Sequence, residues 1–314
     1  MIRKVIKQGH NTLTLTLPKK WCDTHHIDSG SEIDVKENNR DLIIAPQAKS
    51  DAPLRIELNI VGMKKRTVRW IVSILHKLGY DEIYLTYDKD FDATLLHELV
   101  KELLMGFAIM EQTPTHCLLK SISKDREEEY ENTYRRAFYV TISLAESCLG
   151  ALEEEHYAQL ASIAQLEKTN NQLTNFCERI INKGLYAERD MASFSYVLAW
   201  NLEKICDDYK YICTYFAEET KKKQKIILSK KVLKVFADSI TYLKEFLKIY
   251  NHFNLNHLNS VVESKNKLIK ELHEIIQKDS EQGQILASYL LSSVFKITDL
   301  APSTLAIKRP FERS

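Results

Sequence analysis

Apolar and polar positions alternate along residues 3–17, with Val5, Leu13, Leu15 and Leu17 apolar, Lys4, Thr12, Thr14 and Thr16 polar, and the tetrapeptide QGHN interrupting the run. A period of two belongs to a strand with one covered face, so the stretch predicts a strand, a turn at Gly9 and a second strand. Pro18 opens a short helical turn over KKWCDTHH, and DSGSEIDVKENNRDLIIAP adds a turn at Gly30, a strand, a turn at Asn38–Asn39 and a last strand ending near Pro46. Residues 1–47 hold only short strands, with neither a disulfide set nor a metal-ligand set. Such a segment cannot bury enough apolar surface alone, which predicts an intertwined dimer.

Beyond the spacer QAKSDAP the rhythm changes. LRIELNIV, EIYLTYD, FAIMEQ and HCLLKSI read as strands, and KKRTVRWIVSILHKL and DATLLHELVKELL as amphipathic helices, which predicts a small α+β module over residues 53–122. From KDREEEYENTYRRAF onward the period is helical. Leu198, Leu202, Ile205, Tyr209, Ile212 and Phe216 form one apolar stripe, with Cys206 and Cys213 beside it as packing residues. The charged break AEETKKKQK divides residues 126–314 into segments of similar length, 126–219 and 226–310, each with room for three helices. The expected fold is mainly α: an N-terminal β domain, an α+β module and a tandem pair of three-helix bundles.

Composition sharpens this picture. Eight glycines and six prolines in 314 residues are too few for turn-dense β architecture, and 44% hydrophobic residues suffice for a substantial core. No uninterrupted apolar run approaches the roughly 18 residues that span a bilayer, so the expectation is a cytoplasmic protein without membrane insertion. The six cysteines include no C-x-x-C pair and read as reduced thiols. The net charge of +1 hides an asymmetry, since residues 1–22 carry +5 with no acid and the remainder carries −4. Lysine and arginine on a face that no acid interrupts suit a phosphate backbone, and a two-fold dimer doubles that face. The expected partner is double-stranded DNA, met by Arg3, Lys4, Lys7, Lys19 and Lys20, with His10, Asn11, Thr12 and Thr14 offering polar groups to phosphates or base edges.

The pattern of Arg3, Lys4, Gly9, Leu15, Pro18, Lys19, Trp21, Gly30, Glu32, Ile33, Val35 and Leu42 resembles the swapped-hairpin DNA-binding domain of the AbrB/SpoVT/MazE type. The resemblance implies an interlocked homodimer presenting the basic residues of its first hairpin to DNA. One departure is His26, where that family often has a glycine ending the short helix, so local strain is expected there. Further along, LAWNLEKICDDYKYICTYFAE is similar to a helix of PhoU-type phosphate-signalling proteins through Asn201, Leu202, Glu203, Lys204, Ile205, Asp207, Ile212, Ala217 and Glu218. SVFKITDLAPSTLAI retains Lys296, Ile297, Asp299 and Ala306 at the equivalent place in the second segment. Together the two resemblances point to the archaeal PhoU-like regulators and imply tandem three-helix bundles over about residues 126–310. PhoU-type bundles hold metal through E/D-x-x-x-D pairs, whose carboxylates share a helix face. Here only Glu203 with Asp207 is intact, against Glu167 with Asn171, Glu263 with Lys267, and Phe295 with Asp299. The expectation is at most one weak divalent site, at Glu203, Asp207 and Glu167, and no other cofactor.

Two further clusters and an absence complete the reading. Lys64, Lys65, Arg66 and Arg69 crowd the start of a predicted helix, where the dipole disfavours cations, so an anion site is a candidate beside simple solvation. Cys22, His25 and His26 stand close together but lack a fourth zinc ligand. The chain carries no Gly-rich phosphate loop, nucleophile elbow or H-E-x-x-H, and reads as a non-enzyme. The leading expectation is a DNA-binding transcriptional regulator linked to phosphate uptake. The alternative is an adaptor that controls a membrane phosphate transporter or its sensor by protein contact, which gives no reason for an acid-free N-terminal face. A third reading is a ligand sensor centred on Lys64–Arg69.

Overall fold

The computed structural model describes residues 2–38, 41–46, 53–123, 129–186 and 191–309. The chain divides into two units, Met1–Pro53 and Leu54–Ser314. In the first, β1 (Ile6–Gln8) and β2 (Thr12–Thr14) form one antiparallel hairpin, α1 (Lys19–His25) follows, and β3 (Ile33–Asn38) pairs with β4 (Asp41–Pro46) in a second. Gly9, at φ +73°, supplies the left-handed residue of the first turn. The expected turn at Asn38–Asn39 falls partly outside the described residues. His26 ends α1 at φ 53°, ψ 44°, the left-handed conformation that glycine adopts at least cost, as its place in the motif implied. No described residue of this unit is buried, and Val5, Ile6, Leu13 and Leu15 all stand exposed.

The second unit opens with the α+β module. Its sheet has the order β5 (Arg55–Asn59), β6 (Glu82–Thr86), β8 (His116–Ser121), β7 (Phe107–Gln112). β5 and β6 are parallel and joined through α2 (Lys65–Lys77), α3 (Thr94–Leu103) leads from β6 to β7, and β7 and β8 form an antiparallel hairpin. Helical spacing puts Val68, Val72, Leu75 and His76 of α2 and Leu95, Leu96, Leu99 and Leu103 of α3 on buried faces, against Ile83, Leu85, Cys117 and Leu119 of the sheet.

The helical region begins with α4 (Glu129–Glu153), a 3-10 turn over Tyr157–Gln159 and the short α5 (Leu160–Ile163), and continues through α6 (Leu166–Asn182) and α7 (Ala192–Lys221). After the charged break come α8 (Lys230–Asn251), α9 (His257–Lys278), α10 (Glu281–Thr298) and α11 (Leu300–Lys308). The Ser229 and Ser280 side chains cap α8 and α10 by accepting from Val232 N at 3.2 Å and Gly283 N at 3.1 Å. Two sets of three long helices share one continuous apolar core, in which the whole Leu198–Phe216 stripe is buried. Glu281–Lys308 is, among the described residues, the one stretch long and apolar enough to cross a membrane by length and composition, and its Leu286, Leu290, Val294 and Ile297 lie within this core.

The module meets the bundle along a polar face of α6. Gln172, Asn175, Arg179 and Asn182 recur at spacings of three, four and three, which places them on one side of the helix. Each donates to backbone carbonyls at the C-terminal ends of α2 and α3: Gln172 to Lys101 O, Asn175 to Leu103 O at 3.2 Å, Asn182 to Lys77 O at 2.8 Å, and Arg179 to His76 O at 3.2 Å and Tyr80 O at 2.7 Å. Carbonyls at and just beyond the helix ends thereby gain side-chain donors, His76 O in addition to the Gly79 amide that it already accepts from. Arg179 has no exposed surface and also pairs with Asp81, which Lys183 Nζ approaches at 2.7 Å. Gly79 sits at the same junction with φ +91°, and a Cβ there would come within 2.6 Å of Lys183 Cγ. Burial alone would raise the Asp81 carboxyl, but hydrogen bonds from Lys183 and Leu54 N, with the Lys183 and Arg179 charges, hold it below the usual carboxylate value.

Arg179→Met leaves Asp81 and two carbonyls without their buried partner and is expected to lower unfolding stability by about 3–5 kcal/mol, read as a shift in the urea midpoint of the full chain. Asp81 titrates lower in the folded state than in the unfolded one, so its contribution is complete above pH about 4 and lost as pH falls through the lowered value. Acid titration of Asp81→Asn beside the wild type is expected to show less loss of stability below pH about 4 in the variant.

Candidate nucleic-acid interface and inter-helical cleft

In the N-terminal unit Arg3 and Lys4 precede β1, Lys7 lies within it, His10 and Asn11 make the turn, Thr12 and Thr14 belong to β2, and Lys19 and Lys20 open α1. The β1–β2 register sets Lys7 opposite Leu13. All nine are exposed except Thr14, which is half-buried and donates from its hydroxyl to Ile6 O at 3.2 Å. Among the described residues no carboxylate pairs with any of the five cations. Cys22 is half-buried in α1, and Trp21 stacks obliquely on His25 with ring centroids 5.2 Å apart.

In the second unit two sequence clusters far apart in the chain meet in one cleft of about 580 Å³. Lys65, Arg66 and Arg69 of α2 line one wall, and Glu167, Asn171, Glu203, Asp207 and Lys210 of α6 and α7 line the other. Lys64 is exposed at the N-cap of α2, outside the lining, and no side chain caps that end of the helix. The carboxylates singled out as metal ligands face ammonium groups. Lys210 Nζ lies 3.0 Å from Glu167 Oε1 and 2.5 Å from Asp207 Oδ1, and Lys204 Nζ lies 2.7 Å from Glu203 Oε2 and 3.4 Å from Asp207 Oδ2. Asn171 Nδ2 donates to the same Glu167 Oε1 at 2.8 Å. Among the described residues no group of three His, Cys, Asp or Glu is placed to hold a metal ion. The set fits two lysines rather than a metal cluster, since each carboxylate already has a cation in hydrogen-bonding reach. Burial raises the Glu203 carboxyl, opposed by Lys204. Burial would lower Lys210, but its bonds and charge attraction to Asp207 and Glu167 outweigh that and raise it.

The residues around the paired carboxylates were not evident from the acid spacing. Arg66 lies 5.1 Å above the Trp70 ring and Lys204 lies 5.7 Å above Trp200, each pair four residues apart on its helix. That repeated cation–aromatic spacing is a signal the sequence does carry. In the second bundle the half-buried Lys296 reaches its Nζ across to the buried Asp208 of α7 at 2.7 Å, so the retained lysine of SVFKITDLAPSTLAI serves as a tie between bundles.

The N-terminal geometry now meets an outside comparison. Residues 6–52 match the family model for antidote-toxin recognition MazE, bacterial antitoxin. A MazE/AbrB-type domain therefore stands at the N-terminus, and in coarse terms it marks a DNA-binding regulator. The match begins at the first residue of β1, so Arg3 and Lys4 lie just ahead of it, while Lys7, Lys19 and Lys20 fall within the MazE-type domain. No curated protein and no solved structure matches the chain.

Elemental analysis of the dialysed protein is expected to return less than about one equivalent of divalent metal per chain, because the three carboxylates are already occupied. Lys210→Ala removes the ammonium that Glu167 and Asp207 share, leaving Asp207 the longer contact to Lys204, and is expected to tighten Mn²⁺ binding by about tenfold in a calorimetric titration.

Proposed function

We propose that the protein is a homodimeric transcriptional regulator that grips double-stranded DNA through residues 1–47 and receives a phosphate-linked signal through its helical bundles. The observation that carries the DNA part is the cationic face of the MazE-type domain, where five exposed lysine and arginine side chains have no carboxylate partner among the described residues. Cations left free of internal partners remain available to displace counterions from phosphates. Support for the dimer comes from the same unit. With no buried residue among those described and with Val5, Ile6, Leu13 and Leu15 exposed, one copy lacks a core there, and a second copy with the same apolar surface supplies the missing cover. The phosphate link rests on the likeness of the Asn201–Glu218 helix to PhoU-type proteins and on the tandem arrangement of three-helix bundles.

Binding to the protein's own promoter DNA is expected to weaken steeply with salt, at a slope near −5 in log K against log salt if about 6 phosphates are neutralised per dimer. Arg3→Ala or Lys7→Ala removes two contacts per dimer and is expected to flatten that slope by about 2. Leu13→Glu is expected to shift the full chain from dimer to monomer in sedimentation velocity while the helical unit keeps its circular dichroism. A folded dimer that shows no salt-sensitive DNA complex would leave contact with a phosphate transporter or its sensor as the surviving reading.

A further inference from the structure

The cleft between α2 and the α6–α7 pair has a composition that core packing does not explain. Trp70 and Trp200 both line it, yet they are 61% and 47% exposed, an unusual state for the two largest apolar side chains of the unit. In every ion pair along its walls the cation is more exposed than the carboxylate it meets: Lys65 over Asp92, Arg69 over Glu102, Lys77 over Glu178, Lys204 over Glu203 and Lys210 over Glu167. The acids thus form the backing and the cations the surface. Arg66 has no carboxylate partner among the described residues and rests on Trp70 alone. It sits in the first turn of α2, whose end no side chain caps, so a cationic side chain and open backbone amides lie together. The two exposed indoles are thus a sign of a ligand independent of the helix end, and Asn171 adds an unusual feature to the wall behind them. This residue is over nine-tenths buried in the cleft wall, its amide nitrogen is used by Glu167, and its Oδ1 has no hydrogen-bond partner. A buried acceptor without a donor carries an appreciable cost unless something supplies one.

We propose that this cleft binds a nucleoside phosphate. The phosphate groups meet Arg66, Lys65 and the uncapped end of α2, and the base stacks on the exposed indoles of Trp70 and Trp200. A volume of about 580 Å³ holds a mononucleotide with room for further phosphates. An inorganic anion would use the cations but leave both indoles bare, and an uncharged aromatic would use the indoles but leave Arg66 unmet. The ligand class that satisfies both halves carries a planar ring and a phosphate on one molecule. This inference does not depend on the DNA reading, because it is tested without DNA.

Calorimetry on the full chain, paired with tryptophan fluorescence excited at the red edge, tests it with AMP, ADP, ATP and GTP as ligands and with inorganic phosphate and adenosine as the two half-ligands. At least one nucleotide is expected to bind saturably with Kd below about 100 μM, and each half-ligand at least about tenfold more weakly. Arg66→Ala and Trp200→Ala, both at exposed positions, are expected each to weaken that nucleotide by about tenfold with an unchanged unfolding midpoint. Trp21→Phe, in the other unit, is expected to keep the fluorescence change. The proposal is overturned if no nucleotide saturates below about 1 mM, if inorganic phosphate binds as tightly as the best nucleotide, or if both variants bind like the wild type.

Discussion

The guanidinium of Arg179 is the constraint around which the larger unit is arranged. A charge with no exposed surface is tolerable only when it is paired and hydrogen-bonded, and here it donates to His76 O near the end of α2, to Tyr80 O and to Asp81. The module and the bundle are consequently joined by polar groups that must align, with Met105 of the module packed against the bundle core beside them. Gln172, Asn175 and Asn182 repeat the device along the same face of α6. With the C-terminal ends of α2 and α3 pinned in this way, α2 is held along its length from Lys65 to Lys77 as one wall of the cleft.

Within that cleft, the lysines decide the electrostatics. A cluster such as Glu167, Glu203 and Asp207 would by itself repel anions and attract divalent cations. Lys204 and Lys210, one residue after Glu203 and three after Asp207, reach back onto those carboxylates from the same helix. These two ammonium groups offset most of the three carboxylates, and Lys65, Arg66, Arg69 and Lys77 of α2 make the lining net positive. Asp208 and Lys296 use a similar pairing at the bundle interface, where burial raises the carboxyl and Lys296 opposes the shift. Lysine has thus taken positions on both sides of α7.

What was legible in the sequence followed periodicity. The strands from Arg55 to Ser121, the two amphipathic helices between them and the apolar stripe of α7 appear where a period of two or 3.6 placed them, because burial of one face dictates those repeats. The face of α6 was not legible, because Gln172, Asn175, Arg179 and Asn182 have the spacing of a core face but the composition of a solvated one. The joining of Lys65–Arg69 with Glu203–Asp207 was equally hidden, since nothing local in either segment encodes a contact across more than a hundred positions. Glu203 and Asp207 stood out correctly as neighbours, but their partners could be recognised only once Lys210 and Glu167 were in one place.

The coreless N-terminal hairpins bear on dosage. With no buried side chain among its described residues, the segment in the proposed dimer gains its interior from a second chain, so that the dimer would accumulate with the square of chain concentration when chains are scarce. Occupancy of a target then rises across a narrow window of expression, sharper than a monomeric binder would give. Below that window the strands with Val5, Ile6, Leu13 and Leu15 are unsheltered and open to proteolysis. In the proposed dimer the domain would thereby count its own copies.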